Sequence, residues 1–300
     1  MKYRKSHLGF ISPGFIIYTV FMIVPLITAV YFSLHSWPGI GEKIFIGLKN
    51  FRNIFFDERM SSIFWNALGN NFTYLFIAIL IFIPVQILIA YLIHSKIFGH
   101  EAFKLMVFLP YVISPSIVGF FALLVFDPNV GLLNNFFYAV GLNSWTSAWF
   151  GNVHQGFPLL VSVIGWRGLG VGMVIILANM KNIPNDVIEA SVIDGAGSWT
   201  RFWRVVLPFL KPSIINVIIL SSIFALIQFD LPYIIGGPTG GVNGSLDFLN
   251  LVFFRYAFGD SYYGESAMGF GAAISVVLFL IIFGIALIQN LFLKKLLRRE

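Results

Sequence analysis

The chain reads as an all-α integral membrane protein with six transmembrane helices, and three observations predict this. Of its 300 residues 58% are hydrophobic and 11% charged, with a mean hydropathy of +0.87. A soluble domain carries about 25% charged residues. Six stretches each hold the roughly 20 apolar residues that a spanning helix requires. Lys and Arg then divide unequally between the loops that join those stretches.

The stretches lie at roughly 10–33, 72–93, 105–126, 160–181, 213–232 and 268–293. The first exceeds a signal-peptide core of about 7–15 residues and lacks a small-residue cleavage site, so it is expected to stay as a span. Lipid-facing barrel strands alternate apolar and polar residues, and Leu75–Ile83 does not alternate. With the N-terminus inside, the cytoplasmic side receives thirteen basic residues: Lys2, Arg4, Lys5, Lys96, Lys104, Lys181, Arg201, Arg204, Lys211, Lys294, Lys295, Arg298 and Arg299. The outer side receives five, Lys43, Lys49, Arg52, Arg59 and Arg255, and Arg167 falls within a span. This bias places both termini in the cytoplasm. The net charge of +6 belongs to those loops rather than to a nucleic-acid partner.

Several chemistries are excluded. Without cysteine there is no disulfide, thiolate nucleophile or Cys-ligated metal. The histidines at 7, 35, 94, 100 and 154 show no metal-ligand spacing. No Gly-Lys dipeptide occurs, so no loop of the G-x-x-x-x-G-K-[ST] type can cradle ATP phosphates. Gly168, Gly170 and Gly172 lie inside an apolar span, where small residues serve close helix packing rather than a dinucleotide turn. The chain is expected to be no enzyme and to hold no cofactor or metal.

One cytoplasmic loop has a pattern of its own. Residues 182–212 read NIPNDVIEASVIDGAGSWTRFWRVVLPFLKP. Pro184 suits a first helical turn, with Asp186 and Glu189 where the helix dipole favours anions. Gly195 and Gly197 permit a reversal. Ser198 is placed to cap a second short helix carrying Trp199, Phe202, Trp203 and Val206 at helical spacing, which Pro208 and Pro212 end. Two short helices about a glycine hinge make a docking surface; the plainer alternative is an interfacial anchor.

Glu189-Ala190-Ser191, then Gly195 after three residues, then Val205-Val206-Leu207-Pro208 resembles the EAA signature of binding-protein-dependent ABC importer permeases. Ser191 replaces the second Ala and Val205 replaces Ile. Further similarity to the carbohydrate (maltose and multiple-sugar) branch runs along most of the chain: Phe45–Phe51 with Asn66-Ala67-Leu68, Leu109-Pro110 with Ile113-Ser114, Gly131–Asn134, Trp166-Arg167-Gly168 with Ile183-Pro184, and Phe229-Asp230, Tyr233 and Gly236-Gly237-Pro238. The resemblance implies a type I importer permease fold in the cell membrane. Residues 1–65 would form a tail, first helix and outer loop, 66–293 the permease core, and 294–300 a basic tail. It implies ATPase coupling through Glu189, Ala190, Ser191, Asp194, Gly195, Ala196, Leu207 and Pro208. The implied partners are a second, related permease, a pair of ATP-binding subunits that hold ATP and Mg, an extracytoplasmic sugar-binding protein, and membrane lipid.

Ionisable residues inside a span are costly and are candidates for a solute path. Arg167 and Asp230, placed in the last turn of the fifth span, fall at similar depth, so an ion pair, an outward-snorkelling Arg and direct solute contact all stay open. Trp166, Gln228 and Tyr233 join them as candidate path residues. Asn70, Asn71, Tyr74, Gln86, Asn179 and Asn216 are further intramembrane polar groups, for which bonds across helices are the plainer reading. The readings carried forward are a carbohydrate importer subunit, the same role for an anionic solute with Arg167 as counter-charge, and a stand-alone secondary transporter with Asp230 as a proton relay.

Overall fold

The computed structural model describes residues 3–259 and 267–297; of the expected basic residues, Lys2, Arg298 and Arg299 lie outside this range. Five helical stretches among the described residues are long and apolar enough to cross a membrane: Phe10–Ser33, Glu58–His94, Val153–Met180, Lys211–Gly236 (interrupted at 227–229) and Met268–Leu291. A sixth apolar segment is broken, its halves His100–Val112 and Pro115–Val125 bent by 99°. The described residues pack as two units, one within Met1–Trp65 and Val252–Ile281, the other within Asn66–Leu251 and Ile282–Glu300.

Three prolines mark their helices in one way. Pro25, Pro84 and Pro208 each follow a five-residue π-turn, at Thr19–Ile23, Ala78–Phe82 and Phe202–Val206. A proline has no N–H, and its ring crowds the carbonyl four residues back. The chain answers by widening. The amide before each proline donates to the carbonyl five residues earlier (Val24 to Thr19, Ile83 to Ala78, Leu207 to Phe202), which clears space and keeps the helix continuous.

In the first unit, the chain leaves Ser33 into a short hairpin, with His35 paired to Phe45 and Ser36 to Ile44. The amide of buried Asn50 donates to Ser33 O (2.8 Å) and His35 O (3.0 Å), fixing the turn. Asp57 then starts the next helix, its carboxylate accepting from the amides of Arg59 and Met60.

In the second unit, two apolar clusters form the core. One gathers Leu75, Ala78, Val118, Leu160, Ile164 and Phe248. The other gathers Ile87, Ala90, Met173, Ile176, Met180 and Phe202. Helices 83–94 and 153–180 approach closely because Gly165 and Gly172 leave room for the Phe82 ring and the Gln86 amide, which any Cβ there would overlap. Gly170 lets the same helix meet 100–112, where a Cβ would fall 2.8 Å from Phe108 Cα. Gly168 has nothing within 4 Å, so the close-packing reading holds for Gly170 and Gly172 and not for Gly168.

The asparagines of the 58–94 helix serve the fold. Asn66 and Asn70 donate to Gly244 O (2.8 Å), Ser245 O (3.2 Å) and Asp247 O (2.9 Å). Asn71 is fully buried. It donates to Ala225 O (2.7 Å) and Leu226 O (3.3 Å) and accepts from the Leu249 amide (3.0 Å). One side chain thus ties three segments and satisfies the carbonyl end of the 211–226 helix. An Asn71→Leu chain is expected to lose about 2–4 kcal/mol, since buried groups left unpaired cost roughly 1–3 kcal/mol each. Its melting midpoint in detergent should drop clearly, while Asn66→Ala, at an exposed bond, should shift it far less.

Candidate functional site

The 182–212 loop is built as two short helices. The first, Asn185–Ile193, follows Pro184, which stands just before it rather than in its first turn. It closes on Gly195, at φ +77°. Ala196 N donates to Ser191 O (2.9 Å) and Gly195 N to Val192 O (3.0 Å), the paired bonds of a Schellman ending, which needs a left-handed residue at that place. The second helix starts at Ser198, with Gly197 as the flanking residue. Ser198 is therefore its first helical residue, and no side chain caps it. Pro208 does not end this helix: the 202–206 π-turn absorbs it, and the chain runs on to Phe209 before Lys211 opens the next helix.

Glu189, Ala190, Asp194, Gly195 and Pro208 are exposed, Ala196 and Leu207 half-buried, and Ser191 buried with its hydroxyl donating to Ile188 O. Large apolar groups stand exposed beside them, with Ile193 at 85% and Trp199 at 69% of their free surface. The opposite face is anchored. Phe202, Val206 and Leu210 enter the second core cluster beside Ala90, Met180 and Ile183, and Ile188 and Leu207 pack on its edge. Tyr91 packs tilted against Phe202, ring centres 4.7 Å apart, and donates its hydroxyl to Ser198 O (3.0 Å). The loop is therefore packed directly against the ends of helices 58–94 and 153–180.

A cavity of about 300 Å³ lies in the second unit, its polar lining supplied by Tyr74, Gln86, Tyr111, Arg167, Ser221, Gln228 and Asp230. Arg167, Gln228 and Asp230 thus share one space, while Trp166 and Tyr233 do not line it. Trp166 is half-exposed, and Tyr233 stacks on Phe229 at 5.3 Å. Asp230 is not in the last turn of the fifth span. The 211–226 helix stops where Asn71 takes its carbonyls, and Asp230 opens a separate helix, Asp230–Gly236, whose dipole favours a carboxylate there. Among the described residues Arg167 and Asp230 make no ion pair within 4.0 Å. Arg167 Nη2 instead faces Tyr111 O (3.4 Å) and Ile113 O (3.5 Å), with Cζ 5.3 Å from the Tyr111 ring centre. Sequence reasoning missed Tyr111 and Ser221 as lining residues; Ser114-Pro115, a cap followed by a first-turn proline, was the available sign that the third span breaks there.

Residues 59–298 match the family described as binding-protein-dependent transport system inner membrane component. The chain belongs to this family. It is thus a multi-pass membrane component of a transport system. Among relatives of this permease, a starch degradation products transport permease, AmyD of Thermoanaerobacterium thermosulfurigenes, is 32% identical over 93% of the chain and 91% of its own length. The arabinooligosaccharides permease AraP of Bacillus subtilis is 31% identical over 93% and 86%. In fold, the permease is similar to a chain of a bacterial ABC transporter involved in alginate import, with a TM-score of 0.82 at 21% identity over 98% and 96% of the two chains.

Proposed function

We propose that this chain is the permease subunit of an ATP-driven importer and translocates a sugar or oligosaccharide delivered by an extracytoplasmic binding protein. The reading takes six spans, the bent pair counting as one, with both termini and the 182–212 loop in the cytoplasm; the distribution of Lys and Arg supports that orientation. Residues 66–293 are the permease core in this reading, flanked by the N-terminal tail, first helix and outer loop (1–65) and the basic tail 294–300.

The observation that carries it is the loop itself: an exposed Glu189–Pro208 face on two helices closed by Gly195, rooted by Phe202 and Val206 among the spanning helices. ATP-binding subunits drawing together would push this face. The movement would pass to the helices that line the cavity, which would then open toward the binding protein. Nucleotide must favour that state by a differential affinity, because a ligand with equal affinity for both states shifts nothing. Glu189, Ala190, Ser191, Asp194, Gly195, Ala196, Leu207 and Pro208 are the proposed coupling residues. Gln228 and Asp230 are proposed to offer acceptors and donors to solute hydroxyls, with Trp166 and Tyr233 as aromatic neighbours of the path. One cation and one carboxylate in the cavity suit an uncharged polyol better than an anion, and the sugar permeases among the relatives support the same class.

The test is recovery of the tagged chain from its native membrane in mild detergent, with the co-purifying chains identified and counted. An ATP-binding subunit pair with a second permease is the expected result. A chain recovered alone that catalyses uptake in liposomes without ATP would replace this reading with the secondary transporter.

A further inference from the structure

The break in the third span leaves backbone carbonyls without helical partners. In an unbroken helix each carbonyl accepts from the amide four residues on. For Tyr111 that residue is Pro115, which has no N–H. For Ile113 it is Ile117, whose amide donates instead to Ser114 Oγ (3.3 Å). These are the two carbonyls that Arg167 Nη2 faces, at 3.4 and 3.5 Å. Such carbonyls inside an apolar layer need a donor. They also form the negative end of the 100–112 helix, where a cation is favoured.

The neighbours fix this arrangement. One turn beyond Arg167, Gly170 brings the 153–180 helix against the backbone of Phe108. The near half of the broken span is therefore held to the helix that carries Arg167. The far half leans elsewhere: a Cβ at Gly119 would fall 2.7 Å from Ile234 Cγ2, on the 230–236 helix. The two halves thus rest on different supports, and the turn between them borders the cavity through Tyr111 and Pro115.

We infer that Arg167 is a positioning residue, which caps the broken end of the 100–112 helix from the neighbouring helix and so sets the cavity wall formed by Tyr111 and Pro115. Nη2 serves the backbone and the guanidinium lies 5.3 Å from the centre of the Tyr111 ring, while its buried Nε has no hydrogen-bond partner among the described residues; the group acts on the wall rather than as counter-charge for a solute. Its importance for transport rests on the proposed solute path, but the placement of the break does not.

The absence of cysteine gives a direct test. Ile113→Cys is introduced as the single thiol, and its reaction with a small water-soluble thiol reagent is timed in native membranes that hold the full chain and its partners. Ala90→Cys, fully buried in the other core cluster, serves as a control. Adding Arg167→Met, which keeps the stem and removes the donors, should raise labelling at position 113 about tenfold, the signature of a local opening, with no change at position 90. Arg167→Lys, which retains donors, should restore most of the protection. No rise at 113, or an equal rise at 90, would overturn the inference. Because the readout needs neither solute nor ATP, it stands or fails apart from the importer reading.

Discussion

ATP-driven uptake is expected to fall at least tenfold, to roughly background, when Gly195 is replaced by proline, while the amount of chain in the membrane should stay the same. The substitution fails twice at one place. Proline is fixed near φ −65° and cannot take the +77° of this turn. It also removes the amide that donates to Val192 O. Losses of about 3 kcal/mol are typical where proline is forced against the backbone, enough to unseat the 185–193 helix. Glu189 would then no longer stand in register with Leu207 and Pro208. The damage should stay local, because the 185–193 helix meets the second cluster at its edge, through Ile188, while Phe202, Val206 and Leu210 beyond the turn stay rooted in it. Gly195→Asn separates conformation from composition: asparagine tolerates the left-handed region, so that chain should keep most of its uptake. Equal loss in both variants, or no loss with proline, would remove the loop from the coupling path. Uptake into vesicles normalised to immunoblotted chain measures this.

Replacing Gly170 with leucine is expected to act on the fold and leave little chain in the membrane. The contact at Gly170 is with Phe108 Cα and the Val107 carbonyl oxygen, which are backbone atoms and cannot swing aside as a side-chain tip can. Overpacking usually costs about 1–3 kcal/mol and more where nothing can yield. Helices 100–112 and 153–180 would have to separate, taking Arg167 off the broken turn. Gly168→Ala, two residues earlier with open space around it, is the matched control and should accumulate normally. Steady-state chain levels with and without mild heating distinguish the two; a Gly170→Leu chain as abundant and heat-stable as the control would contradict the packing seen here.

The long apolar runs and the Glu189–Gly195 register could be read in the sequence because their causes are local. Hydrophobic length decides a span, and a left-handed glycine ends a short helix. Bonds across helices are the plainer reading for Asn70 and Asn71, but the partners that these residues and Asn66 would find could not be read, since they lie 154 to 178 residues away. Nothing near an asparagine announces which distant carbonyl it will meet. Asp230 was misplaced for the same reason: its helix begins anew because the 58–94 helix ends the one before it. The Arg167 interaction combines both kinds of information. Ser114-Pro115 marks the break locally, but the donor that answers it comes from another helix.

The π-turns before Pro25, Pro84 and Pro208 carry a geometric consequence. Each residue of an α-helix advances about 100° around the axis, so one extra residue accommodated in a widened turn sets the angular phase of everything beyond it. In the 58–94 helix, Tyr74 lies before the π-turn and Gln86 after it, and both line one cavity. A uniform α-helix of the same residues, with no widened turn between them, would swing Gln86 about 100° away from the space that Gly172 leaves for it. Pro84 thus works as a phase adjuster, aligning two functional faces that a regular helix of this sequence would point in different directions.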